Sequence, residues 1–131
     1  MASELLFYRP DNGQIATGRL ESNGNFTGLA TGGLSSGWTH VVSMDRELLF
    51  YRSDNGQIAT GRLESNGNFT GLATGALSAG WTNIVAVDRE LLFYRSDNGQ
   101  IATGRLGSNG NFTGLATGAL SAGWARVTSV N

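Results

Sequence analysis

Asp11-Asn12-Gly13-Gln14, Asp54-Asn55-Gly56-Gln57 and Asp97-Asn98-Gly99-Gln100 put a carboxylate and two amides within four residues three times over, and Trp38, Trp81 and Trp124 recur at the same interval. Side chains of these types suit one kind of recognition. Amides and carboxylates hydrogen-bond to hydroxyls, and an indole offers a flat apolar surface to the C–H face of a sugar ring. The candidate ligand-binding residues are therefore Asp11, Asn12, Gln14, Trp38, Asp54, Asn55, Gln57, Trp81, Asp97, Asn98, Gln100 and Trp124. One weak glycan site per copy is expected, and several such sites on one particle would gain avidity over any single one. A structural reading stands beside it, because Asp-Asn-Gly and Ser-Asn-Gly form turns and Trp packs cores. The turns account for each Gly and Asn, the Trp residues fit both readings, and Asp54 and Gln57 are not all required by the turn.

Catalysis finds little support. The single His, His40, is replaced by Asn83 and Arg126 in the other copies, where a general base would be needed each time. There is no cysteine, so no thiolate site or disulfide framework, and no carboxylate-rich loop of the calcium-binding kind. The expectation is a protein without enzymatic activity, metal or cofactor.

The elements that must position these residues are set by the repeat. Glu4, Glu47 and Glu90 open copies with a period of 43, giving repeats 4–46, 47–89 and 90–131 within one domain. The first two differ only at Pro10/Ser53, Gly33/Ala76, Ser36/Ala79, His40/Asn83, Val41/Ile84, Ser43/Ala86 and Met44/Val87. Such near-identity points to recent amplification or to deliberate construction, and a self-assembling repeat chain with no ligand is the alternative reading of function. A formal charge of -1 supplies no electrostatic reason to expect nucleic acid or an anionic membrane as partner. No stretch resembles a signal peptide or a membrane span, since apolar runs reach only four or five residues. The compartment stays open.

In the middle copy, Asn55-Gly56 and Asn66-Gly67 read as hairpin turns in which both residues tolerate positive φ, and Asp88-Arg89 as a weaker third. They separate four expected strands, Trp81 to Val87, Glu90 to Arg95, Gln57 to Leu63 and Asn68 to Thr74, with no helical period anywhere. Four strands in about 43 residues fit either a β-propeller blade or a β-trefoil lobe. The unbroken apolar runs Leu48-Leu49-Phe50-Tyr51 and Ile84-Val85-Ala86-Val87 favour strands covered on both faces, as between blades. Three blades cannot close a ring, so a homodimer of six blades is expected, with a monomeric trefoil as the alternative. Trp124 to Asn131 reads as the first strand of a blade whose other strands belong to the partner, which makes closure a strand exchange. The Asp54 to Gln57 turn is expected near Ala73 to Trp81.

The order Gly80-Trp81, Leu91 to Tyr94, Asn98-Gly99, repeated in each copy, resembles the blade of tachylectin-type β-propeller lectins. The resemblance implies N-acetylated sugars bound between neighbouring blades. In that family the Trp and the aromatic strand lie closer together; here Ile84 to Glu90 intervenes.

Overall fold

The computed structural model describes residues 3–130. Eleven strands appear among them and no helix: β1 (Ser3–Tyr8), β2 (Gln14–Leu20), β3 (Phe26–Gly33), β4 (His40–Met44), β5 (Glu47–Tyr51), β6 (Gln57–Leu63), β7 (Phe69–Ala76), β8 (Asn83–Val87), β9 (Glu90–Tyr94), β10 (Gln100–Leu106) and β11 (Phe112–Ala119). They form three antiparallel meanders, β1-β2-β3, β4-β5-β6-β7 and β8-β9-β10-β11. The chain is thus three successive propeller blades, the first with three strands and the others with four. A trefoil would interleave its lobes around a shared barrel; here each sheet keeps its own strands.

The Trp-led strands start later than the sequence suggested. Strand β8 opens at Asn83 because the Trp81 N–H donates to the Tyr51 hydroxyl at 3.2 Å instead of to a ladder carbonyl. The ladder of β9 closes at Tyr94, and the fourth strand runs from Phe69 to Ala76. Residues 124–130 pair with no strand, and Asn131 lies outside the described residues.

Turn chemistry is also narrower than expected. Only the glycine of each Asn-Gly pair is left-handed, Gly56 having φ 78°. Asn55 instead uses its side chain, Oδ1 accepting the Gln57 N–H at 2.9 Å, which is the Asx-turn role of this residue. Asp45 and Asp88 carry the left-handed position of the β4–β5 and β8–β9 turns, with φ of 54° and 55°.

The Leu48–Tyr51 run has the two-sided burial that its lack of alternation implied, whereas Ile84–Val87 is only half-buried and ends on an exposed Val87. On β5, Leu48 and Phe50 point toward the first blade and pack with Trp38, Leu63, Leu6 and Tyr8. Leu49 and Tyr51 point the other way, into a cluster with Ile58, Trp81, Leu91 and Phe93. Fully burying side chains of this size contributes roughly 1.5–3 kcal/mol apiece, so these clusters, which join neighbouring blades, are a substantial source of stability. A bulge between Thr60 and Gly61 is repeated in each copy; Phe69 lies over Gly61, where any side chain would meet its ring.

Polar contacts fix the spacing between blades. Thr17 Oγ1 donates to the Gly67 carbonyl and Thr60 Oγ1 to the Gly110 carbonyl, both at 2.8 Å. Glu47, buried, pairs with Arg62 of its own blade at 3.2 Å and with Arg89 of the next. Arg52 takes no part in these pairs; its guanidinium lies 4.7 Å from the Trp38 ring centre.

Candidate ligand-binding site

Two cavities with the same lining, one repeat apart, are the candidate sites. The first, of about 450 Å³, is walled by Trp38, Phe50 and Phe69, with Ser35, Gln57 and Thr74 as polar groups. The second, of about 430 Å³, has Trp81, Phe93, Phe112, Ser78, Gln100 and Thr117 in the same places. In the first blade the corresponding surface is an open groove along Phe7, Ala16, Phe26 and Leu29, with no Trp on it.

Each wall follows from local structure. Gln57 starts β6 immediately after the turn whose carbonyl, on Gly56, accepts the Leu77 N–H at 2.7 Å. The Gly80 N–H donates to the Ser53 carbonyl at 2.8 Å, so the Asp54 turn does sit against the connection from β7 to Trp81. The cavity, however, joins Gln57 to Trp38, the preceding Trp, and Gln100 to Trp81. The reason is that each Trp packs forward onto the blade it introduces: Trp38 against Phe50 at 6.0 Å and Trp81 against Phe93 at 5.9 Å between ring centres.

The two Trp rings are packed and covered. Trp38 and Trp81 are buried, and Arg52 and Arg95 each sit 4.7 Å from a ring centre, a cation–π arrangement that occupies one face. Arg52 is held there by donating to the Ser36 carbonyl at 2.6 Å. Trp38 therefore presents a wall to the cavity, with Phe50 and Phe69 beside it. Trp124 is 58% exposed and lines neither cavity. Asp11, Asn12, Gln14, Asp54, Asn55, Asp97 and Asn98 are all exposed, and none lines the cavities or the groove.

The aromatic walls Phe50, Phe69, Phe93 and Phe112 were not singled out in the sequence as site residues, nor were Arg52 and Arg95. For Phe50, Phe93, Arg52 and Arg95 the signal was their place in or beside the repeated "LLFY" run; for Phe69 and Phe112 it was the repeat alone. Burial raises the Tyr51 hydroxyl above the ordinary tyrosine range, with Arg95 opposing that shift. The same hydroxyl donates to the Ser78 carbonyl at 2.7 Å and accepts from Trp81, so it organises the connection and stays protonated. Among the described residues no three His, Cys, Asp or Glu side chains converge as metal ligands, and no helix is long and apolar enough to cross a membrane.

No protein-family model matches the chain, and no curated protein sequence matches it. Solved structures do. The chain is similar to a protein of Lactobacillus plantarum, with a TM-score of 0.62 at 14% identity over 88% of this chain and 39% of that one. A candidate 6-phosphogluconolactonase of Bacteroides fragilis matches with a TM-score of 0.62 at 13% identity over 89% of this chain and 39% of that one. The periplasmic gluconolactonase of Pseudomonas aeruginosa matches at 0.60 and 16% identity, over 90% and 40%. This chain spans about two-fifths of the length of those structures, and at such identities the likeness is one of fold.

Proposed function

We propose that this chain is a multivalent carbohydrate-binding module that holds sugar rings in the repeated cavities without turning them over. The observation that carries the reading is the cavity found twice with one lining. An amide and hydroxyls, on Gln57, Ser35 and Thr74, face apolar walls on Trp38, Phe50 and Phe69. That combination offers hydrogen bonds to ring hydroxyls or to an acetamido group and an apolar surface for C–H faces and an acetyl methyl. Asp54 and Asn55, in the turn that leads into Gln57, are the residues placed to extend contacts to a longer glycan. The lactonase names belong to the structural neighbours. Here the repeated polar groups are amides and hydroxyls, which bind well and are poor general bases.

Saturation-transfer NMR against N-acetylglucosamine, N-acetylgalactosamine, glucose, galactose and mannose tests this. Transfer to at least one of them is expected, lost when Gln57 and Gln100, both exposed, are changed together to Ala without a change in thermal midpoint. Silence across the whole set at millimolar sugar would remove the binding reading and leave a repeat chain whose property is assembly.

A further inference from the structure

We propose that two copies of this chain complete one another, the segment Trp124–Val130 of each pairing with β1 of the other to close a six-bladed ring and to build a third cavity across each seam. This needs no ligand and stands whether or not the cavities bind sugar.

The two ends of the three-blade arc are mismatched to water in complementary ways. On the first blade, Phe7 and Phe26 are each 52% exposed, with Leu5 and Leu20 exposed as well; the equivalents of Phe7, Phe50 and Phe93, are 1% exposed, and those of Phe26, Phe69 and Phe112, are half-buried. On the far side of the third blade, Leu120 and Trp124 are bared, although Trp38 and Trp81 are buried in the same role. Each end is therefore one half of a contact the chain already makes twice. The contact between the first and second blades and that between the second and third show how the halves would meet.

A strand-shaped vacancy marks where the partner segment enters. Among the described residues the first blade has no counterpart of β4 and β8, the strands that pair with β5 and β9 in the others. A cleft of about 510 Å³ lies along that free edge, lined by Glu4, Leu5 and Leu6 on one side and by Val41 and Ser43 of β4 on the other. In the next blade the corresponding place is filled by β4, which packs on β8. Trp124–Val130 holds the same repeat position as Trp38–Met44; it is anchored by Tyr94 and Asn83 but belongs to no strand ladder among the described residues. Since Ser43 lies opposite Leu48 and Ala86 opposite Leu91, the repeat sets Ser129 of one copy opposite Leu5 of the other.

Three further contacts would repeat at the seam. Arg9 would cover Trp124 as Arg52 covers Trp38. The Thr103 hydroxyl, which has only its own blade's Ala116 carbonyl at 3.5 Å, would reach the partner's Gly24 carbonyl as Thr60 reaches Gly110. The groove along Phe7 and Phe26 would gain Leu120, Ser121 and Trp124 as its missing wall, as Leu34, Ser35 and Trp38 wall the second blade's cavity. Two such three-blade arcs make six blades, within the roughly four to eight typical of closed rings.

A cysteine pair reads out the seam directly, the chain having no cysteine of its own. With Ser129→Cys and Leu5→Cys in one chain, mild oxidation is expected to give a covalent two-chain species on a non-reducing gel. Cysteines that stay free, or that link within one chain, would overturn the proposal. Should that variant fail to fold, amide exchange on the unaltered chain decides: Val127–Ser129 protected together with Leu5–Phe7 supports pairing, and exchange of Val127–Ser129 at unfolded rates contradicts it.

Discussion

Trp38 and Trp124 hold the same position in their repeats and the same backbone anchor, their N–H groups donating to Tyr8 and Tyr94 hydroxyls at 3.2 and 3.1 Å, yet one is 6% exposed and the other 58%. The difference is what lies in front of each. Trp38 has the second blade; Trp124 has none among the described residues. Leu120 is exposed on the same connection, and exposed apolar residues grouped at a blade face are the kind of surface that marks an interaction site.

Trp124→Ala should therefore behave as a core truncation of the assembled particle. Emptying a packed Trp site costs about 3–5 kcal/mol, so self-association measured by sedimentation should weaken at least 100-fold. The far-UV spectrum at high concentration should be unchanged. An association constant within a few-fold of the parent would mean that Trp124 stays in water.

Thr60→Val removes a buried hydroxyl that satisfies the Gly110 carbonyl. It should lower unfolding free energy by about 1–3 kcal/mol, because the carbonyl is left without its partner. Thr103→Val is the informative companion. It should cost a similar amount in the concentrated protein and almost nothing at dilutions where copies separate, as followed by urea denaturation at two concentrations.

Two glycines should separate cleanly. Gly56 has φ 78° and its missing side chain would strike the Leu77 carbonyl, whereas Gly71 has open space around it. Gly56→Ala should destabilise by more than about 1 kcal/mol, while Gly71→Ala should be neutral or slightly stabilising. Thermal denaturation of the pair checks this.

Much of this was legible in the sequence because the repeat carries both periodicity and punctuation. Asn-Gly and Asp-Arg located the hairpins, and the unbroken Leu48 to Tyr51 run announced burial on both faces. What was not legible was direction. Whether Trp81 faces back toward Gln57 or forward onto Phe93 depends on the Tyr51 hydroxyl that catches its N–H, a contact 30 residues away. Similarly, the charge of Arg52 is visible in sequence, while the Trp38 ring it covers is brought near only by the fold. The turn asparagines were expected to use their tolerance of positive φ, but a glycine beside each took that role and freed the amide for the backbone.

Stability toward acid should depend partly on Glu4. The hydrogen bond from Arg46 holds its carboxyl below the ordinary range, helped by the Arg46 and Arg19 charges and opposed by desolvation. A carboxylate lowered in the folded state contributes stability above its unfolded pKa and loses it as pH falls through the lowered value. Glu4→Gln should therefore lower the urea midpoint near pH 7, with the two proteins converging below about pH 4. A constant gap down to pH 2 would assign the loss to something other than this charge.

Light scattering on the 131-residue chain bears most directly on the half-ring, because closure by a twin doubles the mass and nothing else in the account does. A particle of twice the 13.8 kDa chain mass, holding from high to low micromolar concentration, is the predicted result. A stable single chain over that range, or a three-chain particle, would contradict it.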